Sequence, residues 1–212
     1  DRYGDEISRF SQIIDKVNPA YLDALNVGYF LSLKSSEEGR ASPLIGQLIK
    51  QGYRNVFEDG SVVIYQNPGS LDRAYFVNKL RFVEDKREMG DILNDPKFNP
   101  TNEAVVLGEP FKLSSSKAEV ISIDHGDNEV KLSVRAEGQS FLILADAFDP
   151  GWKSYLNGEK NKIYQVNGAL RGVRVPPGDS QIIFKYQPES FRNGVIISVF
   201  SAFSLLFLLS RL

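Results

Sequence analysis

The sequence predicts an α+β chain with an N-terminal mixed α/β layer, an all-β sandwich of jelly-roll-like kind, and a C-terminal transmembrane helix. Three observations carry this expectation. Before Pro110, segments with apolar residues every three or four positions alternate with short β-branched runs. After Pro110, strand patterns follow one another with turn residues every ~8–12 positions, the spacing of a sandwich, although spacing alone does not distinguish a sandwich from a closed barrel. From Gly194 to Ser210 there is no charged residue, a run at the lower edge of what spans a bilayer core. The expected boundaries are therefore residues 1–110, 111–190 and 191–212.

Taken in order, Ile7, Phe10, Ile13, Ile14 and Val17 form the stripe of an amphipathic helix from Gly4 to Val17. Asn18-Pro19 stops it and starts a second helix to Leu25, because Asn caps well and Pro suits a first helical position. Gly28 to Leu33 reads as a strand, Lys34 to Ser42 as a polar loop, and Leu44, Ile45, Leu48 and Ile49 as a third helix closed by Gly52. Asp59-Gly60 joins strands at Asn55 to Glu58 and Val62 to Gln66. Ala74 to Val83 is one further strand, Glu84 to Asn94 a helix ended by Asp95-Pro96, and Glu103 to Leu107 a strand.

Beyond Pro110 come strands at Lys117 to Asp124, Asn128 to Ala136 and Ser140 to Ala147, then Lys153 to Leu156, Lys162 to Val166, Leu170 to Val175 and Gln181 to Tyr186. Asp149-Pro150-Gly151, Asn157-Gly158 and Pro177-Gly178-Asp179 punctuate the last four; Asn-Gly suits a two-residue hairpin because both positions tolerate positive φ. In the final segment Ser198, Ser201 and Ser204 are compatible with a membrane helix, since a serine hydroxyl bonds back to the preceding turn. A helix that is apolar all round would need covering on every face in a water-soluble fold.

Composition excludes several classes. Acidic and basic residues number 27 and 25, so no strong field calls for nucleic acid. There is no cysteine, which excludes disulfides and cysteine-ligated zinc. Asp127, Glu129 and Asp124 surround the turn carrying His125, the single histidine, but lack the spacing of a calcium loop, and a solvated hairpin end explains them better. No Gly-x-Ser-x-Gly nucleophile motif accompanies the histidine. No metal, cofactor or catalytic residue is expected. The chain begins with Asp1 rather than methionine, as a processed product or a piece of a longer protein would.

The residues best suited to a ligand are Trp152, Tyr155 and Tyr164, whose rings are able to stack on a sugar, with Asp146, Asp149, Asn157 and Asn167 to bond its hydroxyls. The competing reading, favoured by its place after Pro150-Gly151, makes Trp152 an anchor pointing back under the turn. Paired carboxylates Asp146 and Asp149 also raise a glycoside-processing alternative, three-apart acids being common by chance.

Phe141-Leu142-Ile143-Leu144-Ala145-Asp146, then Pro150-Gly151-Trp152-Lys153, Asn157-Gly158, Val166-Asn167, Arg171-Gly172-Val173, Pro177-Gly178 and Phe184-Lys185-Tyr186-Gln187-Pro188, resembles in order and spacing the end of the YfhO family of bacterial polytopic membrane proteins. Upstream, Tyr65-Gln66-Asn67, Arg73-Ala74-Tyr75, Asn94-Asp95-Pro96 and Phe98-Asn99-Pro100 fit the same family, with Asp72 where its members usually carry proline. The resemblance implies the extracytoplasmic part of a cell-membrane protein similar to glycosyltransferases that use polyprenyl-phosphate sugars. The family's catalytic acids would then lie near the parent's start, outside this chain. Its implied partners are the rest of the parent, a cell-surface glycan or lipid-linked sugar, and the membrane through the C-terminal helix. A purely structural or protein-interaction role is the alternative.

Overall fold

A computed structural model describes residues 19–34, 43–114 and 117–210. The stripe expected from Gly4 to Val17 and most of the loop after Lys34 lie outside the described residues. The helices are α1 (Pro19–Ala24), α2 (Pro43–Lys50), α3 (Lys86–Asn94) and α4 (Glu189–Leu209). The strands before Pro110 are β1 (Tyr29–Leu33), β2 (Arg54–Glu58), β3 (Val62–Gln66), β4 (Ala74–Phe76), β5 (Lys79–Val83) and β6 (Glu103–Leu107). After it come β7 (Ala118–His125), β8 (Glu129–Ala136), β9 (Ser140–Ala147), β10 (Trp152–Leu156), β11 (Glu159–Asn161), β12 (Tyr164–Val166), β13 (Leu170–Val175) and β14 (Gly178–Tyr186).

Two sheets form the expected sandwich: five strands in the order β11-β10-β14-β8-β7, and six in the order β4-β9-β13-β12-β6-β5. Alternation builds the space between them. Val130, Leu132, Val134 and Ala136 of β8 with Ile182 and Phe184 of β14 meet Leu142 and Leu144 of β9 and Val173 and Val175 of β13. The far face of the six-stranded sheet, carrying Phe141, Ile143, Tyr164 and Val166 with Tyr75, Ala104 and Val106, is buried too, under Leu25, Leu71, Phe111 and Leu113. Burial on both faces explains why Ser140 to Leu144 is a continuous buried run rather than an alternating one.

Strand pairing crosses the boundary expected at Pro110. β4 and β9 pair antiparallel, β12 meets β6 at Val166 and Val106, and β5 runs parallel to β6 with α3 as the crossover. Asp85 caps α3, accepting from the amides of Arg87 and Glu88, and Met89 and Leu93 pack with Val83, Phe98 and Val105. The single strand expected from Ala74 to Val83 is two strands on opposite edges of the sheet. The break falls at Val77 and Asn78: Val77 is buried, and the Asn78 amide donates to the Asn102 carbonyl instead of continuing the β4 ladder.

A separate three-stranded sheet, β1-β3-β2, packs Phe30 and Tyr65 against Leu22, Leu48 and Tyr53. α1 links it to the sandwich. The Tyr75 hydroxyl donates to the Ala24 carbonyl at 3.1 Å, and the Tyr21 hydroxyl donates to the Asn167 carbonyl.

The expected transmembrane helix is corrected as follows. The segment is a helix of 21 residues, but among the described residues no helix is long and apolar enough to cross a membrane. Its first turns carry Glu189, Arg192 and Asn193, which shorten the apolar stretch at the end nearest the sandwich. Ser201 and Ser204 return their hydroxyls to the carbonyls of Ile197 and Phe200, as expected. Phe191, Ile197, Phe200 and Phe203 are all largely exposed.

Two predictions follow from this architecture. Because β4 to β6 complete the six-stranded sheet, residues 1–190 should unfold cooperatively in urea whereas residues 111–190 should not; a cooperative transition in the shorter fragment would contradict the pairing. The second concerns Glu103, nearly buried on β6. Burial pushes its carboxyl upward, but two bonds from Arg81, one from the Asn99 amide and the charge of Lys79 outweigh that and leave it below its ordinary 4.5. A carboxylate lowered in the folded state contributes stability above its unfolded value, which is lost as pH falls through the folded one. Acid titration of stability below about pH 4.5 should therefore be shallower in Glu103→Gln than in the wild type.

Candidate functional site

One end of the sandwich is organised around a buried cation. Arg171 follows the inward alternation of Val173 and Val175, which carries a guanidinium into the apolar space between the sheets, where its side chain is 1% exposed. The β9–β13 register shifts between Leu170 and Arg171, which leaves Asp146 in the irregular part of the ladder. Nη2 donates to Asp146 Oδ2 at 2.7 Å, while Nε and Nη1 have no hydrogen-bond partner. The guanidinium is instead faced by rings from the other sheet, with Cζ 3.8 Å from the Trp152 ring centre and 5.3 Å from that of Phe184.

Asp146 is shared. Arg73, just ahead of β4, donates Nε to Oδ1 at 2.8 Å and Nη2 to Oδ2 at 3.1 Å, and its Nη1 lies 3.4 Å from His125 Nε2. Burial lowers the Arg171 pKa from its ordinary value, Asp146 opposes that shift, and Arg73 adds to it. The outer side of Trp152 is covered by Tyr186, with ring centres 5.2 Å apart. Only glycine fits at 151, against Tyr186: a Cβ there would come within 2.7 Å of Tyr186 and 2.8 Å of Asp149.

The expected ligand residues are therefore dispersed. Trp152 and Asp146 are joined through Arg171, and the half-buried indole is the anchor of its turn. Tyr155 lies on the opposite face of β10, its hydroxyl near Gln187. Tyr164 is buried in the second core, edge-on to Phe141. Asp149 accepts from the Gly151 amide at 2.7 Å, closing the turn. Asn157 and Asn167 have φ of 50° and 46° and head the two Asn-Gly hairpin turns. The Asn157 side chain accepts from the Gln181 amide, and that of Asn167 accepts from the Val105 amide. At the His125 turn, Glu129 is held below its ordinary pKa by bonds from Lys131 and Lys185, and among the described residues no group of three His, Asp or Glu side chains is placed to hold a metal.

What adjoins this end is a pair of clefts meeting at Lys153. One, of about 250 Å³, lies between the Phe148 to Trp152 turn and the β10-β11 hairpin, and is lined by Trp152, Asp149, Lys153, Lys160, Asn161 and Lys162. The other, of about 450 Å³, lies where β14 passes into α4 and is lined by Lys153, Tyr186, Gln187, Phe191, Glu189 and Arg192. Lys153 donates to the Pro150 carbonyl at 3.3 Å, and Lys162 sits 4.7 Å from the Tyr164 ring centre. None of Lys153, Lys160, Lys162 and Arg192 forms an ion pair with a described residue.

The strand and turn order that builds this end matches a known family. The model of the bacterial membrane protein YfhO matches residues 93–198, half of the chain. The chain belongs to the YfhO family. The YfhO match runs from the end of α3 into α4, so it takes in Asp146, Trp152, Arg171 and both clefts but not Arg73. The chain is also similar to the uncharacterized protein YfhO of Bacillus subtilis (strain 168), with 27% identity over 84 residues, which is 40% of this chain and 10% of that protein. No solved structure matches.

Arg171 and the three lysines were not among the residues expected to matter. A signal for Arg171 existed: in Leu170 to Val175 an arginine occupies an inward position of the alternation, where a charge demands a partner. The lysines carried none, because Lys153 and the hairpin residues come together only once β10 and β11 pair. Removing Asp146 strands two cations, so Asp146→Asn should lower stability by about 3–5 kcal/mol. Trp152→Ala, which uncovers Arg171, should cost about the same. Urea midpoints within experimental error of wild type for both variants would show that the tie carries no stability.

Proposed function

We propose that this chain is an extracytoplasmic, acceptor-holding module of its YfhO-family parent, and that its lysine-lined hairpin cleft binds an anionic segment of a cell-surface glycopolymer. The observation that carries the reading is the cleft itself. Lys153, Lys160 and Lys162 surround a space of about 250 Å³ beside the fixed indole of Trp152, with Asn161 and Asp149 on its wall. Ammonium groups outside any ion pair, on a flexible stem, suit phosphates spaced along a polymer, and the apolar ring beside them gives a sugar or glycerol unit a nonpolar wall. Transfer of a sugar from a polyprenyl-phosphate donor would fall to other parts of the parent, and α4 is the element by which the module adjoins its membrane-embedded portion.

A second reading, a structural or protein-interaction module, draws on one specific observation: the fold itself uses Asp146, Asp149, Asn157 and Asn167 for its tie and turns. The same bonds weigh against the carboxylate-pair reading, since both Asp146 oxygens already accept from guanidinium groups.

The two readings separate in a binding measurement. A teichoic-acid-type polymer of glycerol phosphate should bind residues 1–190 with an affinity that falls steeply with added salt, and Lys160→Gln with Lys162→Gln should weaken it about tenfold or more at unchanged thermal midpoint, at roughly 1 kcal/mol for each surface cation engaged with an anion. No binding at low salt, or equal binding by the double variant, would leave the interaction-module reading in its place.

A further inference from the structure

The cleft at the root of α4 has a composition that the glycan reading does not use. Arg192 and Lys153 face it from the helix and from β10, with Glu189 as the opposing charge. Tyr186 and Phe191 line it as well, 37% and 72% exposed. Directly beyond it, α4 presents Val195, Ile196, Phe200 and Phe203 to the surroundings. Cations and a tyrosine ring collected at one end of an exposed apolar helix are the arrangement found at the level of lipid headgroups, where such rings sit between hydrocarbon and water and the cations meet phosphates.

We infer that this cleft is a seat for the phosphate of an anionic phospholipid headgroup, with Arg192 and Lys153 as the two cations and Phe191 facing the start of the acyl chains. A lipid is favoured over a free phosphate because the helix wall continues as apolar surface; a soluble anion gains nothing from Phe191 or from the residues after it. Arg192 is the stronger element of the pair, since its planar fork offers two parallel donors to a phosphate. Lys153, bonded at 3.3 Å to the Pro150 carbonyl, stays near the mouth of both clefts. The inference rests on the membrane location of the family and on α4, and does not depend on the glycan reading.

The test uses the full 212-residue chain and flotation with two vesicle types, phosphatidylcholine alone and phosphatidylcholine mixed with phosphatidylglycerol. The apolar helix should bring the chain to both, so the informative quantity is the preference for the anionic vesicles and its decline with salt. Wild type should prefer them by an order of magnitude or more, and Arg192→Gln and Lys153→Gln should each reduce that preference about fivefold. Lys160→Gln with Lys162→Gln, which tests the glycan cleft, should leave it unchanged. Inorganic phosphate at matched ionic strength should not compete. Equal partition of wild type onto the two vesicle types would overturn the inference. So would retention of the preference in Arg192→Gln, its loss in the Lys160 and Lys162 variant alone, or competition by inorganic phosphate.

Discussion

The contact on which this end of the molecule depends is the one between Arg171 and the group formed by Asp146 and Trp152. A guanidinium held between two sheets is a poor occupant of an apolar space, and its presence is tolerated only because a carboxylate and two aromatic faces meet it there. Each partner comes from a different element: Asp146 from β9, Trp152 from β10, Phe184 from β14. The tie also reaches Arg73 ahead of β4, so Arg171 and Asp146 link the two sheets and the chain leading into the first edge strand at this end, beyond the apolar packing between the sheets. Once Trp152 is fixed, the turn before it has one arrangement, with Gly151 against Tyr186 and Asp149 closing on its own backbone. The smaller cleft takes one wall from that turn.

Much of the fold was legible because its signals are local. Asn157-Gly158 turns with positive φ at both positions, as expected. The bounds of β3, β6, β9 and β13 coincide with the expected strands, and α3 ends at Asn94 as expected but starts at Lys86, behind its Asp85 cap, rather than at Glu84. What escaped is long-range. Nothing in Ala74 to Val83 says that its two halves go to opposite edges of one sheet, since the decision is made by Asn102, far along the chain. The pairing of β4 to β6 with strands beyond Pro110 is equally invisible to a reading that looks for shifts in local pattern. In the terminal helix the absence of charge after Gly194 is plain in the sequence, whereas the inclusion of Glu189 in the same helix depends on where β14 ends.

The candidate ligand residues show the same division. Asparagine and aspartate beside glycine are as good at closing turns as at bonding sugars, and the fold uses Asn157, Asn167 and Asp149 in the first way. Tyr155 and Tyr164 are close to Trp152 in sequence but belong to an outer sheet face and to the second core. Neighbourhood along the chain does not become neighbourhood in space where strands alternate and change sheets.

A nearly balanced total charge conceals a local imbalance that matters more than the total. The acids at and around this end are committed inward or to neighbours: Asp146 to two arginines, Glu129 to Lys131 and Lys185, and Glu103, farther off, to Arg81. The cations on the hairpin and at the root of α4 form no ion pair with a described residue, although Glu189 lines the same cleft as Arg192 and Lys153, and a surface cation left out of an ion pair keeps much of its attraction for a mobile anion. The same economy that ties the sandwich together with Asp146 thus leaves Lys153, Lys160, Lys162 and Arg192 as a positive rim. That rim stands between a cleft of about 250 Å³ on one side and an exposed apolar helix on the other. A polymer bearing phosphates and a membrane bearing phosphates would meet it from those two directions, with Lys153 common to both.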